Sequence, residues 1–261
     1  MAGEMWVSAA GLATTAWTID ALANDVANVS TPGFKALLPQ VASAAPGRAY
    51  PAGLAGGPQV QPEVLADGGV GPQRLLLDES QGALEPTGQP LDLAVQGAGW
   101  FAVRANGQTV YTRAGNFHPD ATGTLVDPLG RALLGAKGQT LVLPADGSDP
   151  AVDAQGRLIV QVNGAPTVVG TVGLALVPDQ QAMSGASGGA WTVTQASGPA
   201  TLVAPGQQGA GTLAAGYLEG SNVSLDTVLP ALLAAERAYQ LNAEALNTSV
   251  QMWQQSDQVR A

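Results

Sequence analysis

The sequence predicts a mainly β fold with α: an antiparallel all-β central domain with one helix at each end of the chain. Three observations support this prediction. The 34 glycines and 18 prolines crowd the middle of the chain and nearly vanish from both ends. Apolar residues recur every seven positions at both ends, which is typical of helices that pack along a seam. Between the ends, short runs of alternating apolar and polar residues are bounded by turn-forming residues, which is typical of strands.

The N-terminal segment predicts one helix, because residues 4–29 contain no proline and only Gly11 among glycines. Its apolar residues recur every seven positions, at Met5, Leu12, Ile19 and Val26. Leu22 extends the same side. Turn-forming residues then end the helix, since proline cannot continue it and glycine supplies the turn; these residues are Asn28, Pro32 and Gly33.

The C-terminal segment repeats this pattern with larger side chains. Its seven-residue series is unbroken, at Leu225, Leu232, Tyr239, Leu246 and Trp253. Ser224 is suited to cap the helix, and Asp226 suits the positive end of the helix dipole. At 1.5 Å per residue the helix is expected to be roughly 50 Å long. Heptads sustained over this length favour a supercoiled seam over a helix lying on a globular core.

The middle of the chain predicts many short strands. They include residues 91–95, 100–103, 109–112, 141–143, 157–162, 167–177 and 190–193. Asn106-Gly107 lies between two of them and accepts the positive φ angles of a tight hairpin. The predicted organisation is an N-terminal helix in 1–35, an Ala/Pro/Gly-rich linker in 36–74, a β-rich outer domain in 75–221 and a C-terminal helix in 222–261.

Catalytic, metal and cofactor sites are not predicted. The chain has no cysteine and one histidine, His118, which lies beside Pro119 in a turn. A lone histidine in such a place is far more often a surface residue than a metal ligand or a catalytic base, which argues against zinc sites and Ser-His-Asp chemistry. Asp92, Asp120 and Asp127 could pair for glycoside hydrolysis, but each lies in a turn or strand context where aspartate commonly binds local backbone. We therefore expect no enzyme activity and no cofactor.

Charge and hydropathy limit the partners. The formal net charge is -10 and no run of Lys or Arg occurs, which disfavours nucleic acid and anionic membranes. Apolar stretches are shorter than the ~20 residues of a membrane helix, so no membrane insertion is expected. Residues 1–10 carry Glu4 and no basic segment, so we expect export, if it occurs, without a cleaved secretory signal.

Three segments together resemble the flagellar rod and hook family of axial proteins. The first is Ala23-Asn24-Asp25-Val26-Ala27-Asn28 followed by Thr31-Pro32-Gly33-Phe34-Lys35, with Asp25 where the family signature has an asparagine. The second is Leu91-Asp92-Leu93-Ala94-Val95-Gln96-Gly97, continuing through Gly99-Trp100-Phe101 to Tyr111-Thr112-Arg113-Ala114-Gly115-Asn116-Phe117. The third is Leu218-Glu219-Gly220-Ser221-Asn222-Val223 with Glu236-Arg237-Ala238-Tyr239-Gln240-Leu241-Asn242-Ala243.

The resemblance implies a structural subunit of the distal or proximal basal-body rod. It implies that the terminal helices pair as a coiled coil inside a helical tube that transmits torque. Expected partners are copies of the chain, neighbouring axial rod and hook proteins and the flagellar export apparatus. The expected assembly interface is Leu12, Ile19, Leu22, Val26, Leu225, Leu232, Tyr239, Leu246 and Trp253, and the expected signature turn is Asn28, Pro32, Gly33 and Phe34. The alternatives are a hook protein, a secreted β-rich adhesin or binding module, and a cell-wall hydrolase.

Overall fold

The computed structural model describes residues 2–44 and 69–260. These residues fall into two compact units. The helical unit comprises the described residues within Met1–Ala27, Leu37–Leu76 and Ser224–Ala261, and the β unit comprises Asn28–Ala36 and Leu77–Val223. The predicted fold class is confirmed at this level, because the chain is mainly antiparallel β with one helix at each end.

The helical unit contains two long helices, α1 (Ala2–Ala27) and α2 (Leu225–Arg260), which pack against each other. Two strands, β1 (Leu37–Ala44) and β2 (Gly69–Leu77), pair as a two-stranded sheet, and β1 also contacts α1. The composition predicts a linker over 36–74, but β1 lies inside that segment and β2 begins inside it and ends three residues beyond it. The apolar residues of β1 are the adjacent Leu37 and Leu38 and the single Val41, so they do not alternate with polar residues, and the sequence shows no strand pattern here. Residues 45–68 of that segment lie outside the described residues.

The β unit contains sixteen short strands. They are β3 (Leu84–Pro86), β4 (Leu93–Gln96), β5 (Trp100–Ala105), β6 (Gln108–Thr112), β7 (His118–Pro119), β8 (Leu125–Val126), β9 (Ala132–Leu133), β10 (Gly147–Val152), β11 (Arg157–Val162), β12 (Ala165–Thr171), β13 (Leu174–Leu176), β14 (Ser184–Ala186), β15 (Ala190–Thr192), β16 (Thr201–Val203), β17 (Thr212–Ala215) and β18 (Tyr217–Glu219).

The strands form one large sheet and three small ones. The nine-stranded sheet has the order β14-β15-β6-β5-β9-β8-β7, with β13 joining β5 to β16. A three-stranded sheet has the order β10-β11-β12, and β17-β4 and β18-β3 form two-stranded sheets. The core lies between these elements and is apolar, with Phe101, Leu125, Leu133 and Leu158 fully buried. Phe101 and Phe117 meet edge to face at 5.2 Å.

Tight turns connect the strands where the sequence predicts them. Asn106 and Gly107 have φ angles of 49° and 81° and join β5 to β6, and Asn163-Gly164 joins β11 to β12 in the same way. A second kind of turn, Asp-x-x-Gly-x, occurs three times, beginning at Asp120, Asp127 and Asp153. In each, the aspartate carboxylate accepts the N–H groups two and four residues later. These bonds give the acidic residues a structural use.

The predicted strand over 167–177 is divided in the structure. Its first half belongs to β12 and its second half to β13, which lie in different sheets. Gly173 lies at the break, where an added Cβ would come within 2.7 Å of the Gly135 backbone. The close approach requires glycine, and its partner is distant in sequence, so local alternation does not reveal the break. In place of the predicted strand 141–143, Val142 forms one isolated bridge, with Thr124.

Candidate assembly site

The two terminal helices approach each other closely through small residues. An added Cβ at Gly11 would lie 3.0 Å from the side-chain amide of Asn242. Thr14 and Ala21 are buried on α1, and Val228 and Ala235 are buried on α2. The Thr14 and Thr18 hydroxyls donate to the carbonyls of Ala10 and Thr14, respectively, within α1. The buried faces are therefore narrow, and close approach depends on small side chains.

The predicted interface residues lie mostly beside these buried faces. On α1, Leu22 is buried, and the remaining predicted residues are half-buried, at Leu12, Ile19 and Val26. On α2, Leu232 and Leu246 are half-buried. The other three residues are exposed in the single chain: Leu225 by 40%, Tyr239 by 42% and Trp253 by 53%. Heptad spacing thus predicts where the helices lie, and of the predicted interface residues only Leu22 is buried within the single chain.

Further apolar side chains of α2 are exposed. Leu229 is 45% exposed and Leu233 is 56% exposed, and with Leu225 they lie four residues apart along one side of the helix. Leu241 and Met252 are exposed at other positions. No helix among the described residues is long and apolar enough to cross a membrane. This leucine ridge, Leu225, Leu229 and Leu233, is a surface that remains open on the single chain.

Asp25 is a buried carboxylate near the end of α1. It is 1% exposed, and its two oxygens accept the Leu37 N–H at 3.1 and 3.2 Å. Burial raises the pKa of Asp25 to about 6, and the Leu37 hydrogen bond opposes that rise. The side chain thus fixes the start of β1 relative to α1, with a proton affinity far above that of an ordinary aspartate.

The signature turn lies at the start of the β unit. The Thr31 N–H donates to the Asn28 carbonyl, and the Gly33 N–H donates to the Glu219 carbonyl at 2.6 Å. Asn28 and Pro32 are half-buried, while Gly33 and Phe34 are buried. Gly33 has a φ of 68°, and an added Cβ would overlap the backbone of Arg113 and Ala114. Glycine is required here for both its conformation and its lack of a side chain.

Lys35, next in the chain, enters a buried ion cluster. Its Nζ lies 2.6 Å from Glu219 Oε1 and donates to the Ser80 carbonyl at 2.6 Å. Arg113 Nη1 lies 3.3 Å from Glu219 Oε2, and Arg113 also lies 5.4 Å above the Trp100 ring. Burial lowers the pKa of Lys35 and of Arg113, and Glu219 opposes this in both cases. Removing one partner of such a buried cluster costs about 3–5 kcal/mol, because a buried charge is left uncompensated.

Asn222 links three segments of the β unit beside this cluster. Its Oδ1 accepts the Ala36 N–H at 2.7 Å. Its Nδ2 donates to the carbonyls of Asp78 at 2.9 Å and Ser80 at 3.0 Å. The Asp78 N–H in turn donates to the Ala36 carbonyl at 2.9 Å. The signature turn, the segment after β2 and the segment before α2 are therefore joined through one side chain.

The three family-like segments of the sequence contain Lys35, Arg113, Glu219 and Asn222, but the sequence alone predicts no role for these residues. Lys35 and Glu219 are 184 positions apart, so no local pattern pairs them. For Lys35, Arg113 and Glu219 the available signal is their charge, inside otherwise apolar or glycine-rich motifs; for Asn222 the motif gives no comparable signal. Over the residues the structure describes, no group of three or more metal-ligating side chains is present.

Comparison with known proteins identifies the family. Residues 94–160 match the family described as flagellar hook protein FlgE/F/G D1 domain, and residues 214–259 match flagellar basal body rod FlgEFG protein C-terminal. The chain is 32% identical to the flagellar basal-body rod protein FlgG of Caulobacter vibrioides, over 97% of this chain and 98% of that protein. It is 30% identical to FlgG of Bacillus subtilis, over 98% of both chains. It is also 30% identical to FlgG of Buchnera aphidicola from Acyrthosiphon pisum, over 99% of this chain and 100% of that protein. The chain therefore belongs to the family of flagellar basal-body rod proteins and is a structural subunit of the flagellar basal body.

Proposed function

We propose that this subunit builds a helical tube through its terminal helices, which pair as a coiled coil and then pack against the helices of neighbouring copies. The observation that carries the proposal is the leucine ridge on α2. Three leucines lie in a row and are 40%, 45% and 56% exposed. Burial of apolar surface contributes about 25 cal/mol per Å², so a row of half-exposed leucines favours association with another apolar helix face.

The tube geometry follows from the kind of contact. A ridge on α2 that packs against a different surface of the next copy makes a heterologous contact, and such contacts generate open helical filaments when the rotation does not close. The half-buried Leu12, Ile19 and Val26 of α1 are the complementary surface we propose. The remaining predicted interface residues, Leu22, Leu232, Tyr239, Leu246 and Trp253, complete the packing within and between copies.

We assign the chain to the FlgG-like class of rod subunit, because the relatives that cover nearly its full length carry that name. The proposed partners are further copies and the axial proteins above and below it. The flagellar export apparatus is the proposed route of delivery. The β unit forms the outer layer and transmits torque. The D1-domain match is shared with hook proteins, but the relatives that cover nearly the full chain are rod proteins, so the hook-protein, adhesin and hydrolase alternatives are not favoured.

The test is deletion of the gene followed by electron microscopy of purified basal bodies. The proposal expects basal bodies with a missing or shortened rod and no hook or filament. The intact gene restores them, and a copy that ends at Val223 does not. Complete rods in the deletion strain, in the absence of a second gene of the same family, contradict the proposal.

A further inference from the structure

We propose that Asn222 is a load-sharing residue, which distributes mechanical force arriving along the chain over three segments of the β unit. The inference rests on the proposed role in a torque-bearing tube. It begins from connectivity. The chain passes between the helical unit and the β unit at four peptide bonds, 27–28, 36–37, 76–77 and 223–224. Force that travels along the chain enters the β unit through these bonds.

At three of these four bonds, the residue on the β-unit side is hydrogen-bonded to Asn222 or lies next in the chain to Asn222 or to one of its hydrogen-bond partners. Ala36 lies two residues after the signature turn, Leu77 ends β2 and precedes Asp78, and Val223 follows Asn222 itself. The Asn222 amide accepts from Ala36 and donates to Asp78 and Ser80 at 2.7–3.0 Å. Force applied at Val223 therefore acts through the Asn222 hydrogen bonds on the segments at Ala36 and at Asp78–Ser80, and not on strand β18 alone.

Each of these segments is also fixed to the interior of the β unit. Lys35 precedes Ala36 and is held by Glu219 and the Ser80 carbonyl. The Gln181 side chain forms two hydrogen bonds with the Leu77 backbone: its Oε1 accepts the Leu77 N–H at 2.8 Å, and its Nε2 donates to the Leu77 carbonyl at 2.8 Å. Glu219 itself accepts from Gly82 and pairs with Arg113. Load that Asn222 redistributes thus reaches the nine-stranded sheet by separate routes.

The alternative reading is that Asn222 only stabilises the fold. A residue that only stabilises the fold lowers the unfolding rate whatever the direction of the force. A load-sharing residue lowers the unfolding rate mainly when the force arrives through its own segment. Because the chain has no cysteine, paired cysteines define the pulling axis without interference. One axis uses Ala165→Cys and Gln255→Cys, so that force enters along α2. The other uses Gln108→Cys and Ala165→Cys, so that force stays within the β unit; all three positions are exposed.

The experiment measures the unfolding rate of the β unit of the full chain at constant force on both axes. With Asn222→Ala, we expect the rate to rise about tenfold or more on the α2 axis, as for the loss of one or two hydrogen bonds, and to change less than about twofold on the internal axis. Asp120→Ala is the matched control. It removes turn hydrogen bonds away from the three segments, and it should change both axes by similar factors.

An equal rise on both axes for Asn222→Ala, or no rise on the α2 axis, overturns the inference. If Asn222→Ala does not fold, Asn222→Ser provides the same comparison, because its hydroxyl cannot span the three partners. The measurement uses purified protein, so its failure contradicts load sharing alone. Missing or normal rods in the deletion strain test the proposed function separately.

Discussion

At Asp25, burial and hydrogen bonding act in opposite directions on one carboxyl group. The carboxylate accepts the N–H that begins β1, yet it is almost completely buried. A folded-state pKa of about 6 means that the native state binds a proton more tightly than the unfolded chain, whose value is near 3.8. The contribution of Asp25 to stability therefore falls as pH rises from about 4 to about 6, and it is unfavourable above that range.

Asp25→Asn removes this dependence. We expect the helical unit of the variant to gain about 1–3 kcal/mol relative to the native chain at pH 7.5, with the difference vanishing near pH 4, since one pKa unit corresponds to about 1.4 kcal/mol. The amide oxygen still accepts the Leu37 N–H. Urea unfolding followed by helical circular dichroism between pH 4 and 8 measures the difference. Asp20→Asn, at an exposed position of the same helix, is the control. A gain that does not vary with pH would contradict the assignment.

A turn can require glycine for its positive φ angle or for its lack of a side chain, and a comparison of Gly33 with Gly88 distinguishes these two reasons. Both have similar φ angles, 68° and 71°, but an added Cβ at Gly33 would overlap residues 113–114, whereas one at Gly88 meets nothing within 4 Å. Gly88→Ala should cost only the backbone strain of about 1–2 kcal/mol. Gly33→Ala should cost at least about 2 kcal/mol more, because the signature turn must move away from Arg113. Denaturant unfolding monitored by tryptophan fluorescence measures both. Equal losses would show that the close approach has no energetic role.

Among the elements, the helix pair depends on a small-residue contact. Gly11→Leu places a large side chain against Asn242, whereas Ala13→Leu places the same side chain at an exposed position of α1. Leucine has a higher helix propensity than glycine, so propensity alone predicts that Gly11→Leu stabilises α1. We expect the opposite: overpacking lowers helix stability by about 1–3 kcal/mol. Thermal unfolding by circular dichroism decides between them, and stabilisation by Gly11→Leu would contradict the contact.

The leucine ridge of α2 gives a second prediction at this scale. Leu233 is 56% exposed, so Leu233→Asp should leave the single chain folded. In the assembled rod it would bury an uncompensated charge, which costs several kcal/mol. We expect strains with this variant to lack complete rods in electron micrographs, while Leu233→Met at the same position supports them. Normal rods with Leu233→Asp would remove the ridge from the interface.

Helices and turns could be predicted from the sequence where residues close in the chain determine the local structure. Asn106-Gly107 identified its hairpin, and heptads identified both helices, because turn chemistry and helical periodicity act over a few residues. The break at Gly173 was missed, since it depends on a contact with Gly135. The pairing of Lys35 with Glu219 was missed for the same reason. The buried residues of the two helices include Thr14, Ala21 and Ala235 as well as the larger Leu22 and Val228, and apolar periodicity alone gives little weight to threonine and alanine.

At the scale of the whole molecule, the architecture divides the two roles of a rod subunit. The helical unit supplies an apolar surface, and the β unit supplies a closed core with buried ion pairs. The junction at Glu219 and Asn222 fixes the segments by which the chain enters and leaves the β unit. The proposed assembly surface and the proposed load-sharing residue lie in different units, so variants at Leu233 and Asn222 test the two proposals separately.

The central claim, that copies assemble through their terminal helices, is tested most directly by cross-linking. A photoreactive amino acid in place of Leu233 reacts with whatever lies against the ridge, and mass spectrometry of isolated rods identifies the product. We predict adducts that join position 233 to α1 or α2 of another copy of the chain, absent before rods assemble. Adducts confined to the same chain, or none in intact rods, would contradict the claim.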